Sequence, residues 1–355
     1  MTDDTAATSG DRRFPWEPGS ATGVGSMPGT DPAEAVQVVL DQVPDFPFLP
    51  ELPARGPGAD LIGRTAALLI DFPVETTTGG WRVADRPGRY MRAAQSMLSS
   101  DLDALEEQLD GYRGPLKISL AGPWTLAAAI ELPKNLQPAL SDAGAVADLT
   151  ASLAEAAAAH VAEVSKRVPG ATLVLQLDEP SLTTVVNGEV PTASGLSRIA
   201  VPDAADMSER LQTVLAATGQ YSVLHCCAGP APFGIIMAAQ PDAVSFDLSL
   251  VRREDGDLIA ELADSGKGIF AGAVRTILPR ATRDDQPAHT ARRILRFWRA
   301  LGMNPADAGR QIVVTPACGL AGASPTRAVE ALAHSREAAR IVPELADEKT
   351  GDDEE

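Results

Sequence analysis

Eight short apolar runs alternate with longer helical segments along nearly the whole chain. Several runs are apolar almost throughout, which is typical of parallel strands buried on both faces. They lie at residues 22–26, 46–49, 116–120, 172–177, 222–225, 243–247, 268–272 and 312–316. A doubly wound sheet usually has about five to seven strands, so this pattern favours a barrel. We therefore predict an α/β protein whose single domain is a (β/α)₈ TIM barrel.

Alanine-rich segments between the runs predict the helices. The longest lie at residues 143–167, 204–217, 288–301 and 325–341. The first helix has its own start signal, because Asp31 can cap it, Pro32 suits its first position and Glu34 follows the cap by three residues. Residues 50–115 are long for one crossover, so we expect extra helices or a β-hairpin there, over the barrel mouth.

The net charge of the chain limits the classes of partner that it can bind. Forty-eight acidic and thirty basic residues give a net charge of −18, which repels phosphate backbones and anionic lipids. The longest apolar runs, such as residues 66–70, are far shorter than the roughly 20 residues needed to span a bilayer. We expect neither a nucleic acid nor a membrane as partner.

The ends of the chain and its cysteines complete this outline. We predict a flexible arm at residues 1–18, the barrel at residues 19–343 and a disordered acidic tail at residues 344–355. The first ten residues contain no apolar segment of a secretory signal. Three cysteines, two of them adjacent, make a poor disulfide framework, so a cytoplasmic location is expected.

Polar residues follow the apolar runs where a barrel would place its functional groups, at the carboxyl ends of strands. His225 and Cys227 end the fifth run, Asp247 ends the sixth and Cys318 follows the eighth. Residues separated by one position point to the same side of a strand, and all carboxyl ends meet at one face. We therefore predict a zinc site of His225, Cys227 and Cys318, with Asp247 as a fourth ligand. Cys226 should point the other way, as a small buried residue.

The ligand set indicates the chemistry. Two thiolates, one imidazole and one carboxylate give a zinc site of net charge near −1, which acidifies water poorly. Such a site lowers the pKa of a bound thiol and leaves the thiolate nucleophilic. Alkylation of a thiol is the reaction that suits it.

Three further positions are candidates for the same pocket. Asp178, after the fourth run, either holds a substrate ammonium or simply precedes the turn at Pro180. The segment with Gly25 and Ser26 offers close backbone approach and a hydroxyl, or is an ordinary turn. Glu51 follows the second run. Beyond the zinc site we assign no catalytic residue.

With these residues assembled, the sequence resembles the catalytic carboxyl-terminal barrel of cobalamin-independent methionine synthase over about residues 22–341. Its segments are similar to the family motifs I-G-S, I-Q-I-D-E-P, H-x-C and D-C-G-L, in that order. The matching segments are residues 24–26, 175–180, 225–227 and 317–320. The resemblance implies zinc as cofactor and a small-molecule thiol, homocysteine, as substrate. It also implies homocysteine binding at the segment of Gly25 and Ser26, and Asp178 as the group that takes the substrate amino group.

The departures from the family concern the methyl donor. The folate-stacking tryptophan of the family falls on Ala129, and a conserved family glutamate falls on Thr184. Residues 268–280 contain no counterpart of the catalytic histidine, and Asp247 replaces a glutamate ligand. This pattern is closer to the short, single-barrel methionine synthases, for which a methyl-corrinoid or a corrinoid protein is the implied donor rather than methyltetrahydrofolate. The alternatives are transfer to another thiol, or a uroporphyrinogen decarboxylase-like barrel with structural zinc or a binding role.

Overall fold

The computed structural model describes residues 14–277 and 286–347, and nine strands lie within them. They are β1 (Val74–Thr77), β2 (Gly80–Val83), β3 (Gly114–Ala121), β4 (Ile130–Glu131), β5 (Ala171–Asp178), β6 (Tyr221–Cys226), β7 (Ala243–Asp247), β8 (Gly268–Val274) and β9 (Ile312–Pro316). Six of them form one curled parallel sheet in the order β3-β5-β6-β7-β8-β9. All carboxyl ends of this sheet therefore lie on one side of the molecule.

Six of the eight predicted strands are confirmed by this sheet. In place of regular pairing, the other two, at residues 22–26 and 46–49, have three isolated parallel bridges at or next to them, two of which reach the sheet. These bridges pair Ala21 with Val314, Ser26 with Glu51, and Phe48 with Lys117. The predicted barrel is thus found in part, as an α/β fold with a six-stranded sheet. Residues 44–50 contain three prolines, which cannot donate to a strand ladder, and this explains the missing regular pairing there.

The described residues form twelve α-helices around the sheet. They are α1 (Pro32–Gln42), α2 (Leu61–Ala66), α3 (Arg89–Gln108), α4 (Pro123–Ala129), α5 (Ala143–Arg167), α6 (Leu182–Val186), α7 (Ala204–Ala216), α8 (Phe233–Ala238), α9 (Gly256–Asp264), α10 (Pro287–Ala300), α11 (Pro305–Gln311) and α12 (Pro325–Asp347). The predicted cap of α1 is confirmed, since Asp31 accepts hydrogen bonds from the amides of Ala33 and Glu34. Within the described ranges, no helix is both long and apolar enough to cross a bilayer.

The long segment between the second and third predicted strands contains both of the elements expected there. Along the chain, a hairpin of β1 and β2 lies between helices α2 and α3, and its two strands pair antiparallel. Strand β2 also pairs with β4, where Trp81 lies beside Ile130. Since β4 follows α4, which itself begins just after β3, the hairpin is joined to a segment that follows the carboxyl end of β3.

The amino-terminal segment is packed where the sequence predicted an arm. Trp16 is 4% exposed, stacks on Phe14 and Phe46, and meets Phe270 edge-on at a ring distance of 5.1 Å. The predicted arm of residues 1–18 is therefore too long, because these aromatic rings bury more apolar surface than a solvated arm would. Residues 1–13 lie outside the described part. At the other end α12 continues to Asp347, into the predicted tail, and residues 348–355 are likewise outside it.

Candidate zinc and substrate site

Three of the predicted metal ligands meet at the carboxyl ends of the sheet. His225 lies near the end of β6, Cys227 follows that strand, and Cys318 follows β9. One ligand atom from each lies within 4.8 Å of the others, and the two Sγ atoms are 2.9 Å apart. The curl of the sheet brings these strand ends together, although β7 and β8 separate them in strand order.

The imidazole of His225 is oriented by its neighbour on β7. Its Nδ1 lies 2.7 Å from the hydroxyl of Ser245, and its Nε2 is buried without a hydrogen-bond partner. A buried ring nitrogen without a partner is costly unless it binds something. The unpartnered Nε2, in a ring that the Ser245 hydroxyl holds through Nδ1, and the two nearby thiols form a donor set that fits zinc.

The two thiols have opposite proton affinities. The contact with Cys227, followed by the nearby His225, lowers the pKa of Cys318 to about 4. The same contact with Cys318, together with burial, raises the pKa of Cys227. The pair therefore shares one proton, and Cys318 is the thiolate at neutral pH. The thiolate is the form that binds metal ions.

The structure does not bring Asp247 into this group. Its Oδ1 accepts hydrogen bonds from the amide and the hydroxyl of Ser249, at 2.8 and 2.7 Å, and so caps the turn after β7. Asp247 lines the same small cavity as Cys227. Cys226 is buried and its Sγ lies 3.7 Å from the hydroxyl of Thr183, as expected for a side chain directed away from the site.

Two buried carboxylates lie beside the metal-ligand group. Asp178 ends β5 in register with His225, and Glu51 is one of its charged neighbours. Burial, the largest cause, and the charge of Asp178 raise the pKa of Glu51 to about 7, against the opposing charge of Arg64. Burial also raises the pKa of Asp178, while His225 and Lys117 oppose this. An added cation between the two acids would relieve their mutual repulsion.

The segment with Gly25 and Ser26 adjoins both groups. Glu51 donates its amide to the carbonyl of Gly25, and a Cβ on Gly25 would lie 3.8 Å from the Glu51 carboxyl carbon. Ser26 accepts a hydrogen bond from the amide of Leu320. A Cβ on Gly319 would collide with the Ser26 hydroxyl, so a larger residue beside Cys318 would force the Ser26 side chain to turn. These contacts, together with the pairing of Asp178 and His225, place the four predicted substrate residues beside the metal-ligand group.

Sequence reasoning missed three buried polar residues around this pocket. Lys117 and Gln176 lie beneath it, on β3 and β5. Each is a polar residue inside an apolar run, and this pattern in the sequence could have identified both as buried polar residues. Glu179 accepts hydrogen bonds from the amides of Trp124 and Thr125 and from the Thr125 hydroxyl, so it holds α4 against β5.

The two positions at which the sequence departs from the family on the methyl-donor side lie in short helices. Ala129 ends α4 and Thr184 lies in α6, both half-buried. Trp124 does not replace the missing stacking tryptophan, because it is fully buried and donates its indole N–H to the carbonyl of Met207.

Comparisons with known proteins identify the family of the chain. The sequence model of a family described as "Cobalamin-independent synthase, Catalytic domain" matches residues 137–341, more than half of the chain. A B12-independent methionine synthase from Shewanella sp. W3-18-1, solved in complex with selenomethionine, has a similar fold at a TM-score of 0.59 and 14% identity. The match covers 93% of this chain and 99% of that one. A comparison with curated protein sequences gave no match. The family match shows that this chain, a methyltransferase, belongs to the catalytic-domain family of cobalamin-independent methionine synthases.

Proposed function

We propose that the protein transfers a methyl group to the thiol of homocysteine and so forms methionine, with zinc held by His225, Cys227 and Cys318. The observation that carries this proposal is the unpartnered Nε2 of His225 near two thiols and beside the buried Asp178. When bound, zinc would lower the pKa of the substrate thiol and keep the thiolate nucleophilic.

The residues of the chain hold the other end of the substrate. Asp178, with Glu51 beside it, binds the ammonium group, since an ammonium relieves the repulsion between two buried acids. The backbone at Gly25 and the hydroxyl of Ser26 face the carboxylate of the amino acid.

Three protein ligands leave the fourth position of a tetrahedral site for the thiol, as is usual in catalytic zinc sites. Asp247 lies outside the group of three ligand atoms and is held by Ser249 through Oδ1, so its carboxylate would have to move to bind the same metal ion. We also propose that the bridged segments at residues 22–26 and 46–49 complete an eight-stranded barrel, and that residues 14–343 form one domain. The cytoplasmic location stays a prediction.

The methyl donor is the second part of the proposal. The family is cobalamin-independent, and the match therefore lends no support to the predicted corrinoid or corrinoid-protein donor. The corrinoid proposal rests on Ala129, Thr184 and the missing histidine. Transfer from methyltetrahydrofolate requires protonation of a leaving nitrogen, and general acid catalysis needs a group placed near it.

A donor assay tests both parts. Zinc-loaded protein is incubated with homocysteine and either methylcobalamin or methyltetrahydrofolate, and methionine is measured. We expect methionine from methylcobalamin at the higher rate. A higher rate with methyltetrahydrofolate would overturn the corrinoid donor and keep the function. Methionine from neither, together with methylation of another thiol, would favour the alternative acceptor.

A further inference from the structure

The carbonyl of Val24 is held by side chains instead of by a strand ladder. It accepts hydrogen bonds from Lys117 Nζ at 2.6 Å, from Gln176 Nε2 at 2.9 Å and from Ser119 Oγ at 3.4 Å. Val24 directly precedes Gly25 and Ser26. These side chains therefore determine where the substrate-facing segment lies.

Lys117 is fully buried, and its position is costly for an ammonium group. Its Cα pairs with the apolar Val174 on β5, and Nζ lies 5.5 Å from the ring centre of Phe48. Burial lowers the pKa of Lys117 to about 8, against the opposing charges of Asp178 and Glu51. An apolar residue at such a position would usually stabilise the fold at least as well. A role limited to stability does not account for a lysine here.

Gln176 connects the same carbonyl to the substrate acid. Its Nε2 donates to Val24 O and, at 2.6 Å, to Oδ1 of Asp178. One amide group thus fixes the distance between the segment of Gly25 and Ser26 and the carboxylate of Asp178. Any shift of Val24 therefore changes the distance between the segment of Gly25 and Ser26 and the Asp178 carboxylate, which the amino-acid end of the substrate must bridge.

We propose that Lys117 and Gln176 are positioning residues for the amino-acid end of the substrate, acting through the Val24 carbonyl. This inference rests on the proposed function and adds residues to it. Neither residue needs to touch the substrate. Their loss should weaken binding of thiols that carry the amino-acid group, and should leave the metal and simple thiols unaffected.

The test compares Lys117→Met with the wild-type protein and with a matched control, Thr22→Val. Thr22 is buried two residues before Val24, and its hydroxyl has no hydrogen-bond partner. Homocysteine and propane-1-thiol are titrated into each zinc-loaded protein by calorimetry. For Lys117→Met we expect homocysteine affinity to fall by about 10- to 150-fold, the range for one charge-assisted hydrogen bond. Zinc content and propanethiol affinity should be retained. The midpoint of urea unfolding should be retained or raised.

A second variant, Gln176→Met, tests the same carbonyl from β5 and covers the case in which Lys117→Met does not fold. We expect the same selective loss of homocysteine affinity. Unchanged homocysteine affinity in a folded, zinc-loaded variant, or an equal loss for both thiols, would overturn the inference alone. Wild-type protein that binds propanethiol but not homocysteine would overturn the proposed acceptor and the inference with it.

Discussion

Cys227 and Cys318 are 91 positions apart in the sequence, and their Sγ atoms lie 2.9 Å from each other. Each follows a different strand of the sheet, and Nε2 of His225 is the third donor beside them. Because every member comes from the end of a rigid strand, the site is formed by the fold itself. Rigid elements hold ligands more precisely than loops do.

Replacing Cys318 with Ser should remove the metal and leave the fold intact, since Cys318 is a surface-facing thiol. Zinc content is measured by mass spectrometry after dialysis, together with circular dichroism. Cys226→Ala is the control, because Cys226 is directed towards Thr183 and should keep about one zinc per chain. Full zinc retention by Cys318→Ser would remove Cys318 from the site.

Asp178→Asn keeps the shape of the side chain and removes its charge. Homocysteine binding should weaken by about 1.5–3 kcal/mol, the range for a hydrogen bond to a charged group. Calorimetric titration measures the change. Glu179→Gln is the matched control, because Glu179 binds α4 instead of the pocket. It should lower the free energy of unfolding by about 1–3 kcal/mol with little change in binding. The reverse pattern would contradict the assignment of both acids.

Asp247→Ala should retain about one zinc per chain, because a three-ligand protein site is sufficient for catalytic zinc. The hydrogen bonds of Asp247 to Ser249 place its carboxylate at a turn. Zinc content after dialysis against a weak chelator checks this. Loss of the metal from this variant would establish Asp247 as the fourth ligand.

His160 on α5 should make the protein sensitive to acid. Burial, and secondarily the charge of Arg64, lowers the pKa of His160 to about 3, below its ordinary value of 6.5. Between these values the unfolded chain binds a proton that the folded chain does not, so stability falls as the pH falls. The loss is about 1.4 kcal/mol per pH unit in this window.

The variant His160→Leu removes this linkage. Urea unfolding of the metal-free protein at pH 7 and pH 4.5 should show a smaller loss of stability in the variant than in the wild type, by about 2–3 kcal/mol. Equal losses in both proteins would show that His160 accepts a proton without unfolding.

How far the sequence predicted this molecule can be judged from particular residues. Six strands and the convergence of His225, Cys227 and Cys318 followed from apolar runs and strand ends, which depend on local patterns. The burial of Trp16 did not, because its ring partners come from distant strands. The cap formed by Asp247 could not be predicted, because it depends on a side-chain rotamer. Lys117 was overlooked because a single polar residue does not change the reading of an apolar run as a strand.

The bridge between Ala21 and Val314 also brings the two ends of the folded chain together. Gly19 donates its amide to the carbonyl of Gly309 and packs against α12 near Pro343. A short peptide could therefore join the ends, and new termini could be opened in an exposed loop such as the one at Leu196, as circular permutation requires. The order of the strands along the chain would then differ, while the contacts between the strands and the site at their carboxyl ends would be kept.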